Sequence, residues 1–254
     1  EFSEGVRLGV NEVNALGGIA GLPLKLEVVY EDPYSEESKL EKVVADSLSL
    51  AEKVVKIPNL LAVIGHWSSA TALPASSVYN RHETLYLASH ATASSLTNHD
   101  FDFVFGLQPS NADSASMIAH HALKMGIRKI VVLSDDTDYG TETTNLFTSW
   151  VTRGGMQVLY RGSLTSYGRS IDRLLTFLME NDVFTAKDID AFFVSSSSVL
   201  DTARFIRRAR ELGLKVPIMG TDNMFSNRIE NYVGLPLMTD VFGVSLYDEQ
   251  SSTH

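Results

Sequence analysis

Short apolar runs recur along the chain, and the stretches between them carry apolar residues at helical spacing. Leu60 to Ile64 is one such run, closed by Gly65, and Thr84 to Ala88 is a second. Lys129 to Leu133, Met156 to Tyr160, Asp190 to Val194, Val216 to Met219 and Val241 to Val244 follow, each of a length and composition that predicts a buried strand. After Thr92 a short polar turn leads to Phe103 to Phe105. Leu24, Leu26, Val28 and Tyr30 alternate instead, the period-two pattern of a strand with one wet face. Between the runs, Val6, Val10 and Val13 predict a helix over 3–16, stopped by Gly17 and Gly18. Leu40, Val44, Leu48 and Val55 predict another, capped by Ser35. Ile171, Leu174, Leu175 and Leu178 predict a third over 170–180. The segment from Tyr139 to Gly154 and Gly155, and the segment 199–212 before Gly213, predict two more.

Strands alternating with helices predict an α/β fold built on parallel sheets. Pro109, Ser110 and Asn111 read as a crossing between two such series, giving a first lobe over 1–109 and a second over 110–245, with 246–254 as the start of a return to the first. The first helix precedes any strand, and the last strand has no helix after it. The expectation is therefore a chain that lacks its opening strand and its C-terminal part.

Composition narrows the classes of function. The 254 residues include 31 acidic against 21 basic side chains, a net charge of -10, which argues against a nucleic-acid surface because phosphate binding needs clustered Lys and Arg. There is no cysteine, so disulfides and thiolate chemistry are excluded; the absence suits an exported protein. No apolar run reaches membrane-spanning length.

The candidate chemistry gathers where strands end. Ser68 and Ser69 follow the run 60–64, and Ser89, His90 and Thr92 follow the run 84–88, the strand ends at which open α/β sheets hold ligands. Ser69 falls at a helix start, where free N–H groups and the helix dipole favour a carboxylate. The plainer reading is that Ser68, Ser69, Thr92 and Asp222 are caps and turn residues and that Tyr139 is a packed aromatic. Asp135, Asp136 and Asp138 also follow a strand, as the magnesium-binding carboxylates of a receiver domain would. Two successive α/β series and the lack of a phosphate-binding glycine loop speak against that enzyme, and no Gly-x-Ser-x-Gly suggests a hydrolase. His66, His82, His99, His120 and His121 lack metal-ligand spacing and read as structural or solvated, and Trp150 reads as core.

Taken together and in order, EVNALGGIAG at Glu12 to Gly21, YEDP at Tyr30 to Pro33, VIGHWSSAT at Val63 to Thr71, SHAT at Ser89 to Thr92, DYG at Asp138 to Gly140 and ARELGLKVPIMGTD at Ala209 to Asp222 resemble a known family. It is the extracellular ligand-binding receptor family with the type I periplasmic binding protein fold, in its leucine/isoleucine/valine-binding branch. The resemblance implies two doubly wound, Rossmann-like lobes joined by a hinge, closing on a ligand as a clamp. In its amino-acid-binding members the residues matching Ser69 and Thr92 hold the α-carboxylate by hydroxyl and backbone N–H. The backbone at His90, beside Ala91, accepts from the ammonium, Tyr139 lies near the charged end, and Asp222 pairs with the ammonium. Asp222 stands where a longer Glu is common, Ser198 where an aromatic is common, and His90 where a small residue is. Trp67 is the expected wall at the side-chain end, which favours an apolar or aromatic guest.

The implied protein is an exported, monomeric or dimeric solute-binding protein that passes a free amino acid to a membrane ABC permease, with no cofactor or metal and no catalysis. The same fold as the sensing region of a membrane receptor, or as a binder of an amide, urea or aromatic acid, is the alternative.

Overall fold

The protein is described from a computed structural model over residues 2–31, 40–98, 100–164 and 170–245. It divides into two units, Glu1–Ser38 and Lys39–His254, each taken by itself.

In the first unit, α1 (Phe2–Ala15) forms where the valine spacing predicts it, with Val6, Val10 and Val13 half-buried and no residue of the helix fully buried. The helix ends by donating the Gly18 N–H to the Val13 carbonyl at 2.9 Å and the Gly17 N–H to that of Asn14 at 3.0 Å. Gly18 has φ +77, and a Cβ on it would lie 2.0 Å from the Leu22 carbonyl oxygen, so only glycine fits this turn. Asn14 then pins the chain that follows, giving its Nδ2–H to the Leu24 carbonyl at 2.8 Å and accepting the Leu24 N–H at 2.6 Å. The expected strand from Leu24 to Tyr30 is not one: these residues form no ladder among the described residues, and Tyr30 is 88% exposed. Alternation records a chain with two different faces; a strand also needs a neighbour to pair with. Asp32, Pro33 and the proposed Ser35 cap lie outside the described residues, as do His99 and the proposed return segment 246–254.

The second unit opens with α2 (Leu40–Val54). Its core face is not the predicted one: Val43, Ser47, Ala51 and Val54 are buried, whereas Leu48 and Val55 only flank the cluster. Small side chains win this face because a second helix approaches closely, and the Ser47 hydroxyl donates to the Thr71 carbonyl at 2.6 Å. That partner is α3 (Ser69–Arg81), which lies between β1 (Ala62–Gly65) and β2 (Leu85–Ala88). With β3 (Val104–Gly106) these strands form a parallel sheet in the order β1-β2-β3. Ala72, Ala75, Val78, Tyr79 and Tyr86 build the core between it and the helices. His66 is structural: it is buried, and its Nε2 meets the Tyr79 hydroxyl at 2.9 Å.

A second series follows. It comprises α4 (Asn111–Lys124), β4 (Lys129–Ser134), α5 (Asp138–Arg153), β5 (Gln157–Ser163), α6 (Ile171–Glu180), β6 (Ala191–Ser195), α7 (Val199–Glu211), β7 (Ile218–Gly220), α8 (Asn227–Val233) and β8 (Val241–Phe242). Its sheet is parallel throughout, in the order β5-β4-β6-β7-β8. One face carries the cluster of α6, α7 and α8, the other that of α4 and α5, where Phe147 stacks on Phe193 at 3.8 Å. At the expected crossing, Ser110 caps α4: Ser110 and Asp113 exchange bonds in a capping box, with the Asp113 N–H on the Ser110 hydroxyl at 3.2 Å. Trp150 departs from the core reading. It is 38% exposed and leans on His120, because Phe147 and Val151 take the inward positions of α5.

Candidate functional site

The loops that leave β1 and β2 carry the first group of candidates. Ser68 caps α3, its hydroxyl accepting the Thr71 N–H at 3.3 Å. Ser69 is the first residue of the helix and is buried; its hydroxyl accepts the Ala93 N–H at 3.2 Å, which ties the loop after β2 onto α3. Among the described residues no protein acceptor is found for the Ser69 hydroxyl proton. Trp67 is 67% exposed and stacks on the His90 ring at 4.1 Å and 24°. His90 also meets the Ser89 hydroxyl through Nδ1 at 3.3 Å. Although the ring reaches solvent, desolvation in this stack lowers its pKa from the ordinary 6.5, and the Asp222 carboxylate pulls it back up. Ala91 is buried beneath this loop. Thr92 turns its hydroxyl to Asn111, donating to Oδ1 at 2.7 Å, while its carbonyl accepts the Asn111 N–H at 2.7 Å.

The second group comes from β4, β6 and β7. The Tyr139 hydroxyl donates to the Asp222 carboxylate at 2.9 Å and is hydrogen-bonded to Thr221. A phenol has one proton, so the Thr221 hydroxyl is the donor in the second contact. Burial, then the charge of Asp222, raises the Tyr139 pKa well above its ordinary 10.0, which keeps that proton in place. Asp222, at the start of a single turn after β7, is thus oriented by Tyr139 and near enough to His90 for its charge to be felt there. Tyr139 and Asp222 are thus in direct contact, and the charge of Asp222 acts on His90 from the other series. Ser198 is occupied differently: it caps α7, accepting the Asp201 N–H at 3.2 Å, and its bonds stay within its own turn.

The aspartate cluster after β4 is structural in its central member. Asp135 is buried; Oδ1 accepts the Thr137 hydroxyl and N–H at 2.5 and 3.3 Å. Oδ2 accepts the hydroxyl of Ser196 at 3.0 Å and the N–H and hydroxyl of Ser197 at 2.6 and 2.7 Å. A carboxylate so surrounded joins the ends of β4 and β6 and has little left for a cation. Among the described residues no group of three or more His, Asp or Glu is arranged to hold a metal. The glycine of DYG follows from the same junction, since a Cβ on Gly140 would lie 2.1 Å from Asp135 Oδ1.

Sequence reasoning missed Asn111, Glu142, Thr221 and Asn223. Glu142 accepts the Ser94 N–H at 3.1 Å and the Asn111 Nδ2–H at 2.6 Å, and Asn223 donates to the Ser196 carbonyl. Thr221 stands in the ARELGLKVPIMGTD stretch and Asn111 in the expected crossing, but their hydrogen-bonding was not legible there; Glu142 and Asn223 are lone polar residues whose partners lie far along the chain.

Residues 1–253 match the family described as periplasmic binding protein, and the chain belongs to it. The Leu/Ile/Val/Thr-binding protein of Salmonella typhimurium is 24% identical over 235 residues, which are 92% of this chain and 60% of that protein. The chain therefore spans about 60% of the length of the curated relatives it matches. Among solved structures, the ABC transporter substrate-binding protein from Desulfitobacterium hafniense in complex with Leu is 26% identical, with TM-score 0.68 over 87% of this chain and 62% of that one. The branched-chain amino acid transporter substrate binding protein from Streptococcus pneumoniae in complex with isoleucine is 22% identical, with TM-score 0.75 over 94% and 64%. The likeness at 22% speaks for the fold alone.

Proposed function

We propose that this chain is the main part of a solute-binding protein that grips a free amino acid between two lobes, 1–109 and 110–245, and delivers it to an ABC-type membrane permease. What supports the reading is that the Tyr139 hydroxyl holds the Asp222 carboxylate at 2.9 Å, and that Glu142 of the same series joins it to the loop after β2 by accepting the Ser94 N–H at 3.1 Å. An oriented carboxylate is the partner a partly desolvated ammonium needs. The Ser69 hydroxyl and the N–H groups at the start of α3 offer the opposite end a carboxylate site. Trp67, over His90, suits an apolar or aromatic side chain. One relative named above is a Leu/Ile/Val/Thr-binding protein and the 26% identical structure is in complex with Leu, which makes leucine, isoleucine and valine the first guests to try. The task is capture and release rather than catalysis, carried out on the outer side of the membrane; no helix among the described residues is long and apolar enough to cross one.

Titration calorimetry with leucine, isoleucine, valine and phenylalanine tests this. Saturable binding of at least one is expected, and Asp222→Ala should weaken it by about 3 kcal/mol, the scale of a severed charged pair. Unchanged affinity in that variant would remove the ammonium from the second lobe.

A further inference from the structure

Glu142, on α5, reaches the loop after β2 and the first residue of α4 together. Its carboxylate accepts the Ser94 N–H at 3.1 Å through Oε1 and the Asn111 side-chain N–H at 2.6 Å through Oε2. Asn111 is 2% exposed, so its amide has little to bond with except these neighbours. A carboxylate offers only acceptors, which forces the NH2 of Asn111 toward Glu142 and its carbonyl toward Thr92. A carbonyl has no proton to give. The Thr92 hydroxyl must therefore be the donor in the 2.7 Å contact with Asn111 Oδ1, and what it can show a ligand is a lone pair.

We infer that Glu142 is a positioning residue which, through Asn111, fixes the Thr92 hydroxyl as an acceptor facing the bound solute. The inference rests on the amino-acid reading and sharpens it. The hydroxyl then suits an N–H donor on the ligand and opposes a second carboxylate contact. The carboxylate is left to the Ser69 hydroxyl and to the Thr92 backbone N–H, which has no protein acceptor among the described residues. Selection of an ammonium-bearing acid over the same acid without its ammonium is thus set partly by a glutamate that touches neither. The resemblance assigned the Thr92 hydroxyl to the carboxylate, and the polarity of this chain of bonds reverses that.

The test compares leucine with isocaproate, its analogue lacking the ammonium, by calorimetry on the full chain. Glu142→Gln keeps the shape of the side chain but can donate as well as accept, so the Asn111 amide is free to turn over and release the Thr92 proton. The preference for leucine over isocaproate is expected to fall roughly tenfold in Glu142→Gln, the worth of one charge-assisted bond. It should fall similarly in Thr92→Val. In the double variant the Glu142 substitution should add nothing further, because its effect runs through a hydroxyl already removed. A general loosening of the fold would lower both affinities alike and leave their ratio in place, which would overturn the inference, as would additive effects in the double variant. If the unsubstituted chain binds isocaproate as well as leucine, the inference falls with the ammonium site; if it binds neither, the amino-acid reading falls first.

Discussion

The two parallel sheets solve the same problem with unequal means. In the five-stranded sheet Ala191, Phe192 and Phe193 of β6 are wholly buried, because α4 and α5 cover one face and α6, α7 and α8 the other. In the three-stranded sheet α2 and α3 build a core rich in alanine, and successive residues of β1 part company: Val63 packs on that core while Ile64 is 40% exposed. Their strand ends differ in the same sense. After β4 and β6 the polar groups turn inward on Asp135, whereas after β1 the Ser69 hydroxyl accepts a single N–H, that of Ala93. The larger sheet thus ends in a closed knot of hydrogen bonds, and the smaller one in a loop tied down by one bond to α3.

The largest test of this contrast is in the cores. Phe193→Ala removes a fully buried ring stacked on Phe147 and should cost about 3–5 kcal/mol in urea denaturation. Ile64→Ala should cost less than about 1 kcal/mol. Equal losses would erase the distinction between the sheets. A smaller effect is expected at the strand ends. Gly140→Ala drives a methyl group into the Asp135 carboxylate and should destabilise by about 2 kcal/mol, with a matching drop in the melting temperature. The smallest is a pH effect. His90 has a pKa below the ordinary 6.5, so the folded chain binds fewer protons there than the unfolded chain does. Its contribution is complete above pH 6.5 and is lost as pH falls toward the lowered value. Thermal unfolding followed through that window should show a decline that His90→Asn flattens.

Much of the α/β order could be read from the sequence because buried parallel strands are continuous apolar runs, and 129–133 and 190–194 stand out at once. The stretch 24–30 misled for a physical reason: alternation describes a segment's faces and says nothing about whether a neighbour exists. The rotated face of α2 misled because helix packing rewarded Ala51 and Ser47 over the larger Val44 and Leu48, a preference set by the approach of α3. α4 escaped notice since its inward residues, Ala115, Ala119 and Ala122 beside Ile118, are mostly alanine. At the site, Ser69 could be read as a hydroxyl at a strand end while Tyr139 was singled out only through the family resemblance, and the DYG glycine gained its reason only with Asp135 pressed against it. Glu142 could not be read at all, because an acceptor that collects N–H groups from Ser94 and Asn111 leaves no trace in local spacing.

Every ladder in both sheets is parallel, and that has a consequence for how the chain assembles. Ala62 finds Leu85 only after a helix has been laid down between them, and Ile130 finds Ala191 only after two helices and the edge strand β5. Among the described residues neither sheet contains a hairpin to zip first, so the entropy of closing long loops precedes any reward from pairing, the barrier is high and the search slow.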